Sequence, residues 1–318
     1  MKQIRLMLGV VLVALSCAAA AQTFPSKTVR IIVPYAPGGE TDALGRVLAP
    51  KLIEKWKQSV VVENRAGGGT VIGTEAAAKA DPDGHTLLFA SFGFTTNQVL
   101  IANLPYDPAS LVPQVLLGTA PLILFVSPAI PPKTLKELIA YGKARPGQLM
   151  FASSGNASSP HIAAELFASM TGIEFTHVPY KGTGPALTDL LGGQVHAIFS
   201  TMSLMPNVRA GKLRAFAVAN KTRLGSAPDL PTVEEAGLPD FTAASWFGVF
   251  LQAGVPADLR QRIYADLRSI VDMPEIRERI QQIGLEPSTL NRDEYAAFLK
   301  SELEKWGGII RAKNIRLE

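Results

Sequence analysis

The chain has 318 residues, 47% of them hydrophobic, with one cysteine, four histidines and a formal net charge of +4. A composition so near neutrality, without long basic runs, gives a nucleic-acid backbone nothing to grip, and no such partner is expected. The lone cysteine, Cys17, leaves no disulfide, thiol nucleophile or thiolate metal site once the first segment is removed.

Lys2 and Arg5 precede the apolar run Leu6 to Leu15, and Ala19-Ala20-Ala21 supplies small residues before Gln22. That is the pattern of a secretory signal over residues 1–21, with an apolar stretch too short to span a bilayer. The rival reading is a lipid anchor on Cys17; Ala14, where such sites usually carry Leu, argues against it. Cleavage leaves 318 − 21 = 297 residues, and the loss of Lys2 and Arg5 lowers the charge from +4 to +2. That length is long for one core, so two domains are expected: residues 22–121 with 246–318, and residues 122–245. No later apolar run reaches the roughly 18 residues of a membrane helix, so an exported product is expected.

Val29 to Val33 reads as a buried parallel strand. The helix after it carries Leu44, Val47, Leu48 and Leu52 at helical spacing; Thr41 and Asp42 can cap it, and Pro50 should kink it or remove one hydrogen bond. Strand Val60 to Val62, the loop AGGGT, helix Val71 to Ala80, the turn Asp81 to Gly84 and strand Thr86 to Ala90 follow. This alternation implies a mostly parallel sheet. The apolar stretch Val115 to Val126 reads as the crossing into a second domain. There the alternation restarts with helix Thr134 to Lys143, strand Gln148 to Ala152, the loop SSGNASSP and helix His161 to Met170. Strand Ile173 to Val178, helix Pro185 to Leu191 and strands Val195 to Phe199 and Leu213 to Ala219 complete it. Ser245 to Leu251 reads as the return crossing, before two C-terminal helices. One starts at Pro256 with the stripe Leu259, Ile263, Leu267 and Ile270; the other carries Tyr295, Leu299, Trp306 and Ile310. Gly307-Gly308 should weaken the second.

Val-Pro-Tyr occurs twice, at Val33-Pro34-Tyr35 and Val178-Pro179-Tyr180, each time before a glycine-containing loop and a helix. A strand ended by Pro, an open loop and a helix N-terminus present backbone N–H groups to an anion. Two such loops suggest two lobes facing one small acidic ligand, held beyond the carboxyl ends of the strands and enclosed by hinge closure.

Catalytic signatures are missing. The chain has no G-x-S-x-G, and Gly211-Lys212 is followed by Leu213 rather than the Ser or Thr of a phosphate-binding loop. Glycines 67, 68, 69 and 73 miss the dinucleotide pattern by one position, at Ile72. Histidines 85, 161, 177 and 196 lack metal-ligand spacing. No cofactor, metal or catalytic residue is expected.

Eight segments carry a resemblance: FPSKTVRIIVPYAPGGETDALGR, VVVENRAGGGTVIGTEAAAKADPDGHTLLFAS, NLPYDP, FASSGNASSPHIAAELF, HVPYKGTGPALTDLLGGQV, AGKLRAFAV, LPTVEEAGLPDF and SWFGVF. In this order they resemble the periplasmic solute-binding proteins of tripartite tricarboxylate transporters, the Bug family, over nearly the whole mature chain. The resemblance implies an α/β, two-domain periplasmic-binding-protein-like (type II) fold: two Rossmann-like lobes joined by two crossover strands around a cleft. It also implies a periplasmic, monomeric receptor, not an enzyme, that closes on a small organic acid and passes it to membrane permease subunits. The same scaffold leaves open a sensor for a membrane kinase, or a secreted hydrolase or isomerase.

Mapped onto this chain, the resemblance places one wall at Tyr35, Pro37, Gly38, Gly39, Thr41, Asp42, Gly67, Gly68, Gly69 and Thr70, with Ser91 and Phe92 beside it. The opposite wall is Ser153, Ser154, Asn156, Ser159, His161, Tyr180, Lys181, Gly182 and Ser200. Plainer roles compete: turn geometry for the glycines, capping for the serines, bracing for Tyr35 and Tyr180, a structural hydrogen bond for His161, and a solvated charge for Lys181. Arg65 is expected to pair with a neighbouring helix. Two departures bear on the ligand. Glu40 stands where many relatives carry a small residue, and a carboxylate beside an anion site is unfavourable unless it faces solvent or the ligand's own donors. Ser200 stands where relatives often carry Asp, which argues against amino acids. With Phe92 and Phe94 as an aromatic wall, a dicarboxylate, aromatic ones included, is expected.

Overall fold

The computed structural model describes residues 24–316, so the expected signal segment and Cys17 lie outside the described residues. Eleven strands among these residues form two sheets. The first sheet contains β1 (Val29–Val33), β2 (Val60–Asn64), β3 (Thr86–Ser91), β4 (Leu111–Pro121), β10 (Ala244–Gln252) and β11 (Glu286–Pro287), in the order β11-β4-β10-β3-β1-β2. The second contains β5 (Ile123–Val126), β6 (Leu149–Ser153), β7 (Phe175–Pro179), β8 (Ala197–Ser200) and β9 (Arg214–Val218), in the order β7-β6-β8-β5-β9. β1 is parallel to β2 and β3, and β6 to β7 and β8. β10 is antiparallel to β3 and β4, and β5 to β8 and β9. Each sheet, with its helices, forms one α/β lobe.

Alternation along each strand divides the core. Ile31 and Val33 point to one apolar cluster and Ile32 to another; Phe125 and Leu124 divide in the same way in the second sheet. Both faces of each sheet are therefore covered, which is why these strands read as continuous apolar runs. The covering helices are α1 (Glu40–Trp56), α2 (Val71–Ala78), α3 (Gly93–Leu100), α4 (Leu135–Lys143), α5 (Ser159–Thr171), α6 (Thr183–Leu191) and α7 (Met205–Arg209). Three more follow β10: α8 (Ala257–Val271), α9 (Pro274–Gln282) and α10 (Arg292–Ala312).

Several expectations need correction. The C-terminal part holds three helices; α9 was missed because only Ile276 and Ile280 anchor its nine residues. Helix α3 was missed as well, since GFTTNQVL has poor intrinsic propensity and is held by tertiary contacts. Thr41 and Asp42 do not cap α1: its N-cap is Gly39, and both lie in the first turn. The helix runs on through Pro50. Gly307 packs on Val99 of α3.

The chain passes between the sheets at Leu122 and returns at Ala243. These crossings are tied together: Leu122 N donates to the Ala243 carbonyl (2.9 Å), Ala219 N to Leu122 (2.7 Å) and Ala243 N to Ala219 (3.0 Å).

Candidate functional site

The carboxyl ends of β1, β3 and β8 and the opening residues of β10 meet around one cavity between the sheets. Its lining is Tyr35, Gly39, Glu40, Thr41, Ser91, Leu122, Ser154, Ser158, Ser159, Pro160, Thr183, Ser200, Thr201, Ser245 and Phe247. The N-termini of α1, α5 and α6 open onto it, each bringing the positive end of a helix dipole. Hydroxyls dominate the wall, and no Lys or Arg lines it. Ser158, the N-cap of α5, does not cap its own helix; its buried Oγ has no hydrogen-bond partner and is available to a guest.

The two Val-Pro-Tyr loops touch. Ala36 N donates to the Lys181 carbonyl (2.6 Å). Across the same opening, Thr96 Oγ1 donates to the Ala157 carbonyl (2.5 Å). A side chain at Gly184 would put its Cβ 2.8 Å from the Pro37 carbonyl oxygen, so this close approach needs glycine. The lobes are closed on one another.

Glu40 is the largest departure from expectation. It neither faces solvent nor waits for a ligand alone. Only 7% exposed, it crosses to the other lobe, where Oε2 accepts from Thr183 Oγ1 (3.0 Å) and Oε1 from Thr201 Oγ1 (2.8 Å) and Ser203 Oγ (2.9 Å). Those residues lie more than 140 positions along the chain, so no local pattern announced them.

Of the residues expected at the site, Tyr35, Gly39, Thr41, Ser91, Ser154, Ser159 and Ser200 line this cavity. Gly67, Gly68, Gly69, Thr70, Asn156, Tyr180 and Lys181 line a second, outer groove, which shares Ser154 with the inner cavity. A Cβ at Gly69, whose φ is +60°, would lie 2.7 Å from the Asn156 carbonyl oxygen, so this glycine permits the lobes to approach. Thr70 (φ 82°) and Ala157 (φ 60°) are held in left-handed backbone at the same mouth, the kind of strain found at binding sites.

Pro37, Gly38, Asp42, Phe92, Ser153, His161 and Gly182 line neither space. Phe92 turns into the core, edge-on to Trp306 with centroids 5.0 Å apart, and Phe94 meets Phe250, so the expected aromatic wall is absent. Asp42 accepts from Gly38 N and Arg46 Nε, both at 3.0 Å, folding the loop onto α1. Burial works to raise its pKa, but these bonds together outweigh that and hold the carboxyl below its ordinary value. Arg65 pairs with Glu63 on its own strand rather than with a helix. His161 accepts from Ala157 N (3.1 Å) and stacks on His177 at 3.9 Å. His177 in turn bonds Ser153 Oγ (2.7 Å); burial, then the neighbouring His161, pushes its pKa down to about 3. Sequence reasoning did not single out Ser158, Thr183, Thr201 or Ser245, although Ser158 falls within the stretch Ser153 to His161 that it assigned to the opposite wall.

Residues 44–315 match the model of the tripartite tricarboxylate transporter family receptor. The chain belongs to this family. This receptor is 37% identical over 303 residues to Protein BugT of Bordetella pertussis, covering 94% of this chain and 93% of that one. It is also similar to the solved structure of R. palustris Rpa4515 with adipate (TM-score 0.86, 32% identity, 92% and 99% of the two chains). A third likeness is to MatC (Rpa3494) from Rhodopseudomonas palustris with bound malate (TM-score 0.83, 32% identity, 90% and 100%). Among the receptor's described residues, no helix is long and apolar enough to cross a membrane.

Proposed function

We propose that this chain is a periplasmic receptor that captures a small organic carboxylate by closing two lobes and delivers it, as a single copy, to the membrane subunits of a tripartite tricarboxylate-type transporter. One lobe comprises residues 22–121 and 246–318, the other residues 122–245. The observation that carries the reading is the hydroxyl-lined cavity at the strand ends, where the helix N-termini of α1 and α5 and the unpartnered Ser158 hydroxyl converge. Helix N-termini and hydroxyls hold an anion by hydrogen bonds and dipoles, without a buried cation to neutralise when the site is open. The carboxylates in the two similar structures support the same ligand class.

A hydrolase reading finds little support. The nearest approach to a nucleophile and base is Ser153 with His177, but Ser153 is fully buried and lines neither cavity. A histidine whose pKa is pushed down to about 3 is also a poor general base at neutral pH.

The test is a thermal-shift panel of mono-, di- and hydroxy-acids beside neutral sugars and amines without a carboxylate. A true ligand at 100 times its dissociation constant adds about 2.7 kcal/mol of stability, and small-angle scattering should show compaction with the same compound. Stabilisation by sugars or amines, with none by any acid, would overturn the reading.

A further inference from the structure

The inner cavity carries an anion of its own. Glu40 lines it, is almost wholly buried, and forms no salt bridge with any of the described residues. Of the basic side chains on the adjoining segments, Arg46 pairs with Asp42, and Lys181 lines the outer groove and not the inner cavity. Any guest of the inner cavity therefore meets a negative charge with no protein cation beside it.

The hydroxyl inventory on that side of the cavity leads to the same place. A hydroxyl has one proton to donate. Thr183 and Ser203 direct theirs to Glu40, and Thr201 has Glu40 Oε1 (2.8 Å) and Ser203 Oγ (2.9 Å) as its two acceptors. While they do so, they offer a guest only lone pairs. Glu40 itself is acceptor-only, with about four lone-pair sites, of which three are taken. The side chains bonded to Glu40 thus have no hydroxyl proton to spare, and the donors left on this wall are the backbone N–H groups at the starts of α1 and α6. By contrast, Ser158 has an unpartnered hydroxyl at the start of α5, and that region suits a carboxylate.

We infer that Glu40 is a specificity-determining residue. The guest joins a carboxylate to a hydrogen-bond donor, an ammonium before a hydroxyl, and Glu40 receives that donor. This rests on the carboxylate reading above and narrows it from dicarboxylates to amino- and hydroxy-acids. It reverses the expectation drawn from Ser200, because the acidic acceptor missing there is supplied by Glu40 from the other lobe. A second ligand carboxylate would meet Glu40 as a like charge in a partly desolvated site, where repulsion is strong enough to cost at least ~10-fold in affinity. An ammonium would bring opposite charge and several donors to the same point.

The experiment is calorimetric titration of the full-length mature protein with matched series of three to six carbons. Each series holds the plain acid, the α,ω-diacid, the 2- and ω-amino acids and the corresponding hydroxy acids. The wild type, Glu40→Gln and Glu40→Ala are compared after their melting temperatures without ligand establish that each folds. Support is an amino or hydroxy acid bound at least ~10-fold more tightly than the diacid of equal length by the wild type. That preference should collapse or invert in Glu40→Ala, which frees the hydroxyl protons now turned to Glu40, and weaken in Glu40→Gln, which removes the charge and exchanges one acceptor oxygen for an NH2 donor. A wild type that binds a diacid as well as or better than its amino and hydroxy counterparts overturns the inference while leaving the carboxylate reading intact. So does a ranking unchanged in both variants. If no acid of any series binds, the carboxylate reading falls and takes this one with it.

Discussion

Val33-Pro34-Tyr35 closes an inner strand, with β2 and β3 hydrogen-bonded on either side of it, whereas Val178-Pro179-Tyr180 closes β7, at the edge of its sheet. The first tyrosine is consequently buried, its hydroxyl 2.6 Å from Ser91 Oγ at the end of β3. The second is half-buried and donates to Asp189 at the far end of α6 (2.6 Å). Both phenols are pushed up to about 12, Tyr35 by burial and Tyr180 by burial together with its bond to Asp189. One tripeptide thus takes two jobs according to the strand it ends. The inner copy builds the cavity wall, and the edge copy carries the surface that comes down on it.

That contrast is sharpest where the copies touch. Ala at position 184 adds a Cβ that the Pro37 carbonyl cannot admit, yet Gly184 is not in left-handed backbone, so its own helix should tolerate or gain from the change. Gly184→Ala is expected to leave the unfolding free energy without ligand within ~0.5 kcal/mol of wild type. It should weaken ligand binding by at least ~10-fold, because closure is opposed and only the fraction able to close binds. Scattering should then show no compaction with ligand, and an unchanged affinity would mean that the loops do not need to meet.

The edge loop has a second liability one residue before its Val178. His177 is held neutral in the fold with a pKa of about 3, against 6.5 for the ordinary group. The unfolded chain takes up a proton below pH 6.5 that the folded chain refuses, so the stability tied to this group is complete above 6.5 and drains away as pH falls towards 3. Melting curves of wild type and His177→Gln between pH 7 and 4 should converge as the solution is acidified; a constant gap would refute the assignment. The smallest effect expected separates the tyrosines themselves. Tyr35→Phe removes a buried hydrogen bond and should cost about 1 kcal/mol, while Tyr180→Phe, half-exposed, should stay within ~0.5 kcal/mol. Equal losses would erase the distinction between inner and edge copies.

Much of this architecture was readable from the chain because its causes are local. Apolar runs marked the strands, and the Gly-rich loops and the crossing after Val115 fell where strands end. Sequence reading failed where the cause is distant. Helix α3 begins with Gly93 and carries two adjacent threonines, poor local material, and is fixed by Trp306 packing on Phe92, by Thr96 Oγ1 donating to the Ala157 carbonyl and by Asn97 Nδ2 donating to the Gly69 carbonyl. The same blindness placed Phe92 beside the ligand. Gly67 to Gly69 looked like anion cradles because they sit in loops; the constraint on Gly69 comes from Asn156 on the other lobe. Glu40 was visible as an anomaly and only the fold supplied its partners.

The tied crossings at Leu122 and Ala243 bear on how such distant partners find one another. A single peptide link would let the halves swivel about any axis. Two extended spans stitched side by side, with Ala219 bonded to both, bend along one line and resist twist and slip. Such a seam holds the two halves in one alignment, the alignment in which one carboxylate on the near jaw meets three hydroxyls on the far jaw.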